Sequence, residues 1–483
     1  MSGAFRIADK GRLTPAKTVR FTFDGNTYTA LEGDTLASAL LAHGVHLVGR
    51  SYKYHRPRGF LTAGSEEPNA LFDIARDSAR RQPNVRGTVQ EVFDGMKAGS
   101  QNRWPSLSFD VGAINDLVSP MLIAGFYYKT FMWPFSAWHK VYEPAIRKAA
   151  GLGVAPTEED PDSYASRYVH CDMLVVGAGL AGLTAALSAA RTGRDVIICD
   201  EKPEPGGALQ YESGTTVDGK PGYDWAVAAA AELAGMDNVR YLARTTAFGY
   251  YNHNFLGLCE RLTDHLPNAK ADGPRERLWQ VRAEKVVLAT GAIERPMVFP
   301  DNDRPGIMLA SAARSYLNHY GVAVGSKIGV YCAHDSAYEA AFDLARAGVK
   351  VVAIIDSRAE PGPGLAEEAK ALGITLHTGH TVVGTKGRLR VKSMRVKGGG
   401  KPRDYDIDAL ITSAGWTPSV HLFSQSRGKL AFDAENERFL PSVYAQNAVS
   451  VGACNGTDEV ADLVAEAVAA GGGFADIAAT TAY

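Results

Sequence analysis

The sequence predicts an α/β fold, a small mixed domain followed by nucleotide-binding parallel sheets, and three observations carry that reading. A glycine fingerprint stands between a strand pattern and a helix pattern at Gly177 to Gly182. A second strand–helix–strand unit follows between Lys327 and Asp356. Glycine itself is in excess, at 50 of 483 residues against the usual ~7%, as expected of folds rich in tight turns and close backbone approaches.

At this length the chain has room for about three domains. Lys+Arg number 51 and Asp+Glu 53, a net charge of −2, so no surface for tracking a nucleic-acid backbone is implied. Apolar residues at 46% and charged residues at 22% exclude wholesale disorder. The five cysteines, Cys171, Cys199, Cys259, Cys332 and Cys454, are dispersed and form no C-x-x-C pair. That spacing argues against a disulfide framework, a zinc knuckle or a dithiol redox centre. The first residues lack the apolar core of a secretory signal, so a cytoplasmic location is expected. The uncharged stretch Met173 to Ala190 approaches spanning length, but its glycines fall at motif spacing, and strand, turn and buried helix are expected instead of a membrane span.

Taken in order, residues 1–105 open with a hairpin, Val19 to Phe23 and Thr27 to Ala30, around Asp24-Gly25-Asn26. A helix follows, capped by Asp34, with Leu36, Ala39, Leu40 and His43 on one face and Gly44 at its end. Hairpin then helix is the start of a β-grasp, the fold of plant-type ferredoxins, whose next loop carries cluster cysteines. Here that loop reads Gly49 to Gly59, with Arg50, Lys53, His55, Arg56 and Arg58 and no thiol, so a cluster-free domain is expected. The basic loop reads equally as a solvated turn or as a site for a phosphate or an acidic surface. Residues 106–166 form a connector. Phe126, Tyr127, Tyr128, Phe131, Trp133, Phe135 and Trp138 crowd there at spacing that suits neither an amphipathic helix nor a strand, which favours a partner interface. The acidic, Pro-rich run Pro156 to Ser166 marks a boundary.

The first dinucleotide-binding domain is assigned to 167–300 and 406–483. Its strand Met173 to Val176 leads into Gly177-Ala178-Gly179-Leu180-Ala181-Gly182, and the next strand, Val196 to Cys199, ends in Asp200. Gly177 permits the tight turn, Gly179 lets backbone approach a pyrophosphate, and Gly182 lets the helix pack on the sheet. Asp200 is expected to accept a bond from the adenosine ribose, and its charge beside Glu201 to repel a 2′-phosphate. The loop from Glu201 and Lys202 to Gly207 and Ala208 carries a second glycine pair. Residues 301–405 form an inserted second Rossmann-like domain whose loop, Ala333-His334-Asp335-Ser336-Ala337, lacks the glycines a pyrophosphate needs. We expect it to be a remnant. The chain returns to the first domain at Ala409 to Pro418, and its last motif is Ser450 to Gly456.

These parts resemble the two-dinucleotide-binding-domain flavoproteins. In that family the strand ending Thr290-Gly291 returns under the cofactor, backbone at the position of Ala247 reads the adenine edge, and an Asp after the last-motif glycine, Gly452, holds the flavin ribityl chain. Here that position is Ala453, which cannot accept the bond. NAD is therefore the candidate for the first site, with FAD the alternative.

The order of SYKYHRPRG, GFYYKTFMWP, the fingerprint and TTAFGYYNHN resembles the N-terminal half of the α subunits of heterotetrameric sarcosine oxidase. The resemblance implies an NAD-bearing subunit of an amine oxidase that demethylates sarcosine to glycine. It also implies FAD and FMN on or shared with a β subunit and small additional subunits; the folate-binding half that these α subunits carry is not expected in this sequence, which stops at Tyr483. It is shared with the shorter α-type subunits of hydroxyproline, opine and other amine dehydrogenases. Arg50, Lys53, Arg56 and Arg58 are expected to anchor a flavin phosphate. The competing readings are a self-sufficient FAD-dependent NADH reductase and an unliganded scaffold. No residue of this chain is assigned a catalytic role.

Overall fold

The computed structural model describes residues 3–121, 125, 131–149, 151–267, 271–473 and 476–481. The chain forms two compact units, one of Met1–Pro161 with Pro296–Gly415, the other of Asp162–Arg295 with Trp416–Tyr483.

In the first unit, Thr18–Phe23 and Asn26–Leu31 pair antiparallel, and the order from the edge continues through Met96–Ser100, Leu71–Ala75 and Arg81–Arg86. Thr18–Phe23 runs parallel to Met96–Ser100, which closes the β-grasp sheet. The helix Leu36–Ala42 is buried at every position. Its cap is Thr35, whose hydroxyl accepts the Ser38 N–H at 3.2 Å. Asp34, expected in that role, is instead buried beside it and takes the Leu31 N–H (2.8 Å), the Ser38 hydroxyl (2.6 Å) and the Arg6 guanidinium (2.6 Å). A charged carboxylate can stay in a core only with such saturation, which is why the neighbouring hydroxyl does the capping.

The inserted residues form a parallel sheet in the order Ile307–Leu309, Ala409–Ser413, Lys327–Cys332, Lys350–Asp356, Thr375–Thr378. Ala409–Ser413, read from sequence as the return to the first nucleotide domain, is thus a central strand of the inserted one. One apolar core joins both sheets of this unit, from Phe21, Leu40 and Phe72 to Tyr316, Tyr338 and Phe342. A domain of about 100 residues buries a limited core of its own, and sharing one extends it.

The connector differs from expectation in part. Phe135–Ala137, Trp138–Tyr142 and Glu143–Ala149 form consecutive helical turns, so a helix does exist where the spacing suggested none. Phe126, Tyr127 and Tyr128 lie outside the described residues. Leu117 (81%), Trp133 (84%) and Phe135 (79%) are exposed.

The second unit is built on a sheet ordered Val239–Leu242, Val196–Cys199, Tyr164–Val176, Glu276–Leu288, Phe255–Arg261, Thr245–Tyr251, with Ala448–Ser450 also on Glu276–Leu288. The first four strands run parallel and the last two fold back antiparallel. The helix Leu180–Ala190 is buried throughout. It packs on Val460–Gly471, where Ser188 donates to the Val468 carbonyl at 2.9 Å. Met173 to Ala190 is accordingly strand, turn and buried helix. Among the described residues no helix is long and apolar enough to cross a membrane.

Candidate functional site

The site is built in the second unit from two glycine turns laid against each other. Gly177 has φ +105°, and a Cβ on it would lie 2.3 Å from the Ala289 carbonyl oxygen. A Cβ on Gly182 would lie 1.8 Å from the Gly177 carbonyl oxygen, so helix and turn touch only because residue 182 is glycine. Gly206 donates to the Ala178 carbonyl at 2.8 Å and bridges Gly179, which brings the second glycine pair onto the first. Gly207, at φ +57°, would carry a Cβ 3.1 Å from the Gly179 Cα. Gly452, from the last motif, joins them: at φ +72° its Cβ would meet the Ala181 Cβ at 3.1 Å.

The helix begins with the Leu183 N–H on the Gly179 carbonyl at 2.9 Å. The N–H groups before it have no acceptor within the helix and, with the helix dipole, favour an anion. This cradle of bare backbone, which any added Cβ would fill, fits the pyrophosphate of a dinucleotide.

Asp200 stands at the end of its strand as expected. Its carboxylate accepts the N–H groups of Ala178 (2.7 Å) and Lys202 (2.9 Å). Burial raises its pKa above the ordinary carboxylate value, and those two N–H groups oppose the rise. The Lys202 ammonium reaches Gln210 Oε1 at 3.1 Å, the Glu201 carbonyl accepts from Arg261 at 3.1 Å, and Ala208 sits in the short turn Gly207–Gln210. Ala247 lies on Thr245–Tyr251 at a register shift opposite Leu258. The Thr290 hydroxyl donates to the Ser419 carbonyl at 2.7 Å, and the Gly291 carbonyl accepts the Ser419 N–H at 2.9 Å.

Near Ala453 a carboxylate arrives from another element. Glu466, on the helix Val460–Gly471, accepts the Gly452 N–H at 2.7 Å and the Asn455 amide. Sequence reasoning missed it, since nothing near residue 466 in the chain signals the contact. Burial pushes the Cys171 thiol up to about 12 and the Cys199 and Cys454 thiols above their ordinary value, so none of the three is an activated nucleophile.

Two other regions, both in the first unit, complete the comparison with the sequence: the inserted loop, expected to be a remnant, and the basic loop, expected to anchor a phosphate. At the inserted loop, Asp335 accepts from Arg358 at 2.6 Å and from the Gly362 N–H at 3.1 Å, while Arg358 also holds the buried Asp356 at 2.8 Å. His334 bonds the Ser336 hydroxyl at 2.9 Å. The loop is closed on its own ions. The basic loop differs from the expected phosphate anchor: Arg56 holds Asp303 (2.8 Å) and Asp301 (2.7 Å), Arg58 holds Asp303, and Arg50 is buried on the Leu107 carbonyl at 3.0 Å. Its arginines fasten the β-grasp to the inserted segment. Among the described residues no cluster could hold a metal ion.

The fold and the glycine cradle define a nucleotide-binding oxidoreductase, and comparison with known proteins agrees: the chain belongs to the pyridine nucleotide-disulphide oxidoreductase family, whose model matches residues 171–471. Residues 16–103 match a 2Fe-2S iron-sulfur cluster binding domain, although all five cysteines lie outside that range. The fold is shared there and the cluster ligands are not. More particularly, the chain is homologous to the alpha subunits of sarcosine oxidase. It is 50% identical over 437 residues to that of Rhizobium meliloti (strain 1021), covering 90% of this chain and 44% of the relative. It is 38% identical over 476 residues to that of Corynebacterium sp. (strain P-1), covering 97% and 44%. An opine oxidase subunit from Agrobacterium tumefaciens (strain Ach5) is 28% identical over 294 residues, covering 56% and 57%. The chain spans less than half the length of the sarcosine oxidase relatives. L-proline dehydrogenase from P. horikoshii, at 20% identity, superimposes with a TM-score of 0.64 over 97% of this chain and 74% of that one, which shows a shared fold.

Proposed function

We propose that this chain is the NAD-carrying α-type subunit of a heteromeric flavoprotein amine oxidase, similar to sarcosine oxidase, acting on a secondary N-methyl amine. The observation that supports it best is the pairing of an intact cradle with Ala453. The parts that receive an adenine dinucleotide are present, and the acceptor that would hold a flavin ribityl chain is replaced by a methyl group. The names of the sarcosine oxidase and opine oxidase relatives, each that of a subunit, support a complex, and the exposed Trp133 and Phe135 suit a partner surface.

In this reading the residues bind and orient and do not react. The N–H groups before Leu183 hold the pyrophosphate, and Gly179 and Gly207 keep side chains out of its path. Asp200 receives the adenosine ribose, and its charge beside Glu201 rejects a 2′-phosphate. The nicotinamide supplies a hydride-accepting ring, assigned here to a resident ligand. Oxidation of the amine is assigned to flavin, FAD and FMN, on or shared with a β subunit, with small additional subunits completing the complex. The location assigned is the cytoplasm.

The test is turnover with and without the partner. The chain expressed with its flavin-bearing subunit is expected to consume oxygen on sarcosine, and the chain alone to turn over neither sarcosine nor NADH. NADH oxidation by the isolated chain would replace this reading with the self-sufficient reductase. Oxidation of an opine or of hydroxyproline in place of sarcosine would keep the subunit role and change the substrate.

A further inference from the structure

The strand ends beneath the glycine cradle form a row. Cys199, Val176, Leu288 and Ser450 stand side by side in register, each at the end of its strand. Asp200 follows Cys199 at one end of the row, and Gly452 lies two residues past Ser450 at the other. Three steps at the ~4.8 Å spacing of neighbouring strands set those ends about 14 Å apart. A dinucleotide lies across such strand ends. With its adenosine at Asp200, its other half extends toward the turn Gly452–Asn455.

That turn is held from two sides. A Cβ on Gly452 would meet Ala181 of the fingerprint helix at 3.1 Å and Leu463 of the last helix at 3.2 Å. Three residues beyond Leu463, on the same helix face, stands the half-buried Glu466. Its carboxylate accepts the Gly452 N–H at 2.7 Å and the Asn455 amide, and both partners are uncharged. The guanidinium of this region, Arg438, donates to the Gly456 carbonyl at 2.8 Å and is itself met by two carboxylates, Asp458 at 2.8 Å and Asp433 at 3.4 Å. Glu466 therefore brings to this end of the site a negative charge that no cation pairs with among the described residues. Such a charge repels an anion and favours a cation.

We propose that Glu466 makes the first nucleotide site selective for the oxidation state of its ligand: it favours oxidised NAD, whose pyridinium ring is cationic, over NADH, whose ring is neutral. The inference rests on the NAD reading of that site and deepens it. A site that binds the oxidised form more tightly makes its ligand harder to reduce, by linkage, and so keeps it resident. A flavin, neutral when oxidised, gains nothing from the same carboxylate.

The test uses the full chain stripped of nucleotide and titrated with oxidised NAD, NADH and AMP. It compares wild type, Glu466→Gln, and Glu466→Gln combined with Asn455→Asp. Wild type is expected to bind oxidised NAD more tightly than NADH. Glu466→Gln is expected to lower that preference roughly fivefold to tenfold through weaker binding of the oxidised form, with AMP affinity unchanged because AMP reaches only the Asp200 end. The double variant reverses the hydrogen bond between residues 455 and 466 and restores the charge, so the preference is expected to recover. Equal losses of oxidised NAD and NADH in Glu466→Gln mean that the side chain only shapes the turn, and overturn the proposal. Wild type that holds NADH as tightly as oxidised NAD overturns it without any variant, which keeps the test valid if the variants fail to fold. Wild type that binds neither form is a different result, and removes the NAD reading together with the inference.

Discussion

At the scale of single residues, the site depends on atoms that are missing. Gly182→Ala places a methyl 1.8 Å from the Gly177 oxygen, which no side-chain motion can relieve. The expected outcome is a loss on the order of 3 kcal/mol in chemical denaturation, with no dinucleotide retained on purification. Asp200→Asn acts more narrowly. Its carboxylate accepts two N–H groups, and an amide can accept on only one of its two atoms. Affinity for NAD is expected to fall roughly 10- to 100-fold, and NADP to bind relatively better because the repelling charge is gone. The glycines and Asp200 were legible in the sequence because a pyrophosphate demands bare backbone at fixed spacing. Glu466 was not, because it meets Gly452 and Asn455 through an element that nothing in the local sequence signals. The exchange of Asp34 for Thr35 at the helix cap was hidden for a related reason: only the fold shows that Arg6 reaches Asp34.

At the scale of elements, charge pairing tells more than motif. The basic loop suggested an anion site because five cationic or titratable side chains lie within a few residues. Asp301 and Asp303, which take Arg56 and Arg58, lie some 245 positions along the chain. Burial works to raise the Asp303 pKa, but the Arg56 hydrogen bond and the Arg58 charge outweigh it and hold the carboxyl down at about 2. A folded pKa below the ordinary ~3.9 means that this contribution is complete above about pH 4 and is lost as pH falls toward 2. Its size is about 2 kcal/mol, from a pKa nearly two units below the ordinary value at about 1.4 kcal/mol each. Asp303→Asn is therefore expected to lower stability by about that amount at neutral pH and to flatten the acid limb between about pH 4 and 2, measured by denaturant melts across that range. Arg56→Ala removes the guanidinium that Asp301 and Asp303 share, leaving Asp303 to Arg58 and Asp301 to Arg304, and is expected to cost about 1–3 kcal/mol in the same assay, with nucleotide content unchanged. The strand Ala409–Ser413 was misplaced from sequence for a simpler reason. A run buried on both faces of a parallel sheet reads alike in either sheet, and only register decides.

At the scale of the whole molecule, the sequence carried the α/β class, the cluster-free β-grasp and the paired nucleotide folds, since each rests on local periodicity and turn chemistry. It did not carry the shared core of the β-grasp and the inserted sheet, which only long-range packing creates. The exposed Leu117, Trp133 and Phe135 suit a chain that meets a partner. The central claim is that the first nucleotide site holds NAD while flavin chemistry belongs to a different polypeptide of the complex. It is tested most directly by recording the visible spectrum of the natively purified chain and identifying the dinucleotide it releases on denaturation. A colourless protein that releases NAD is the predicted result. A yellow protein that releases FAD would contradict it and make this chain an electron carrier in its own right.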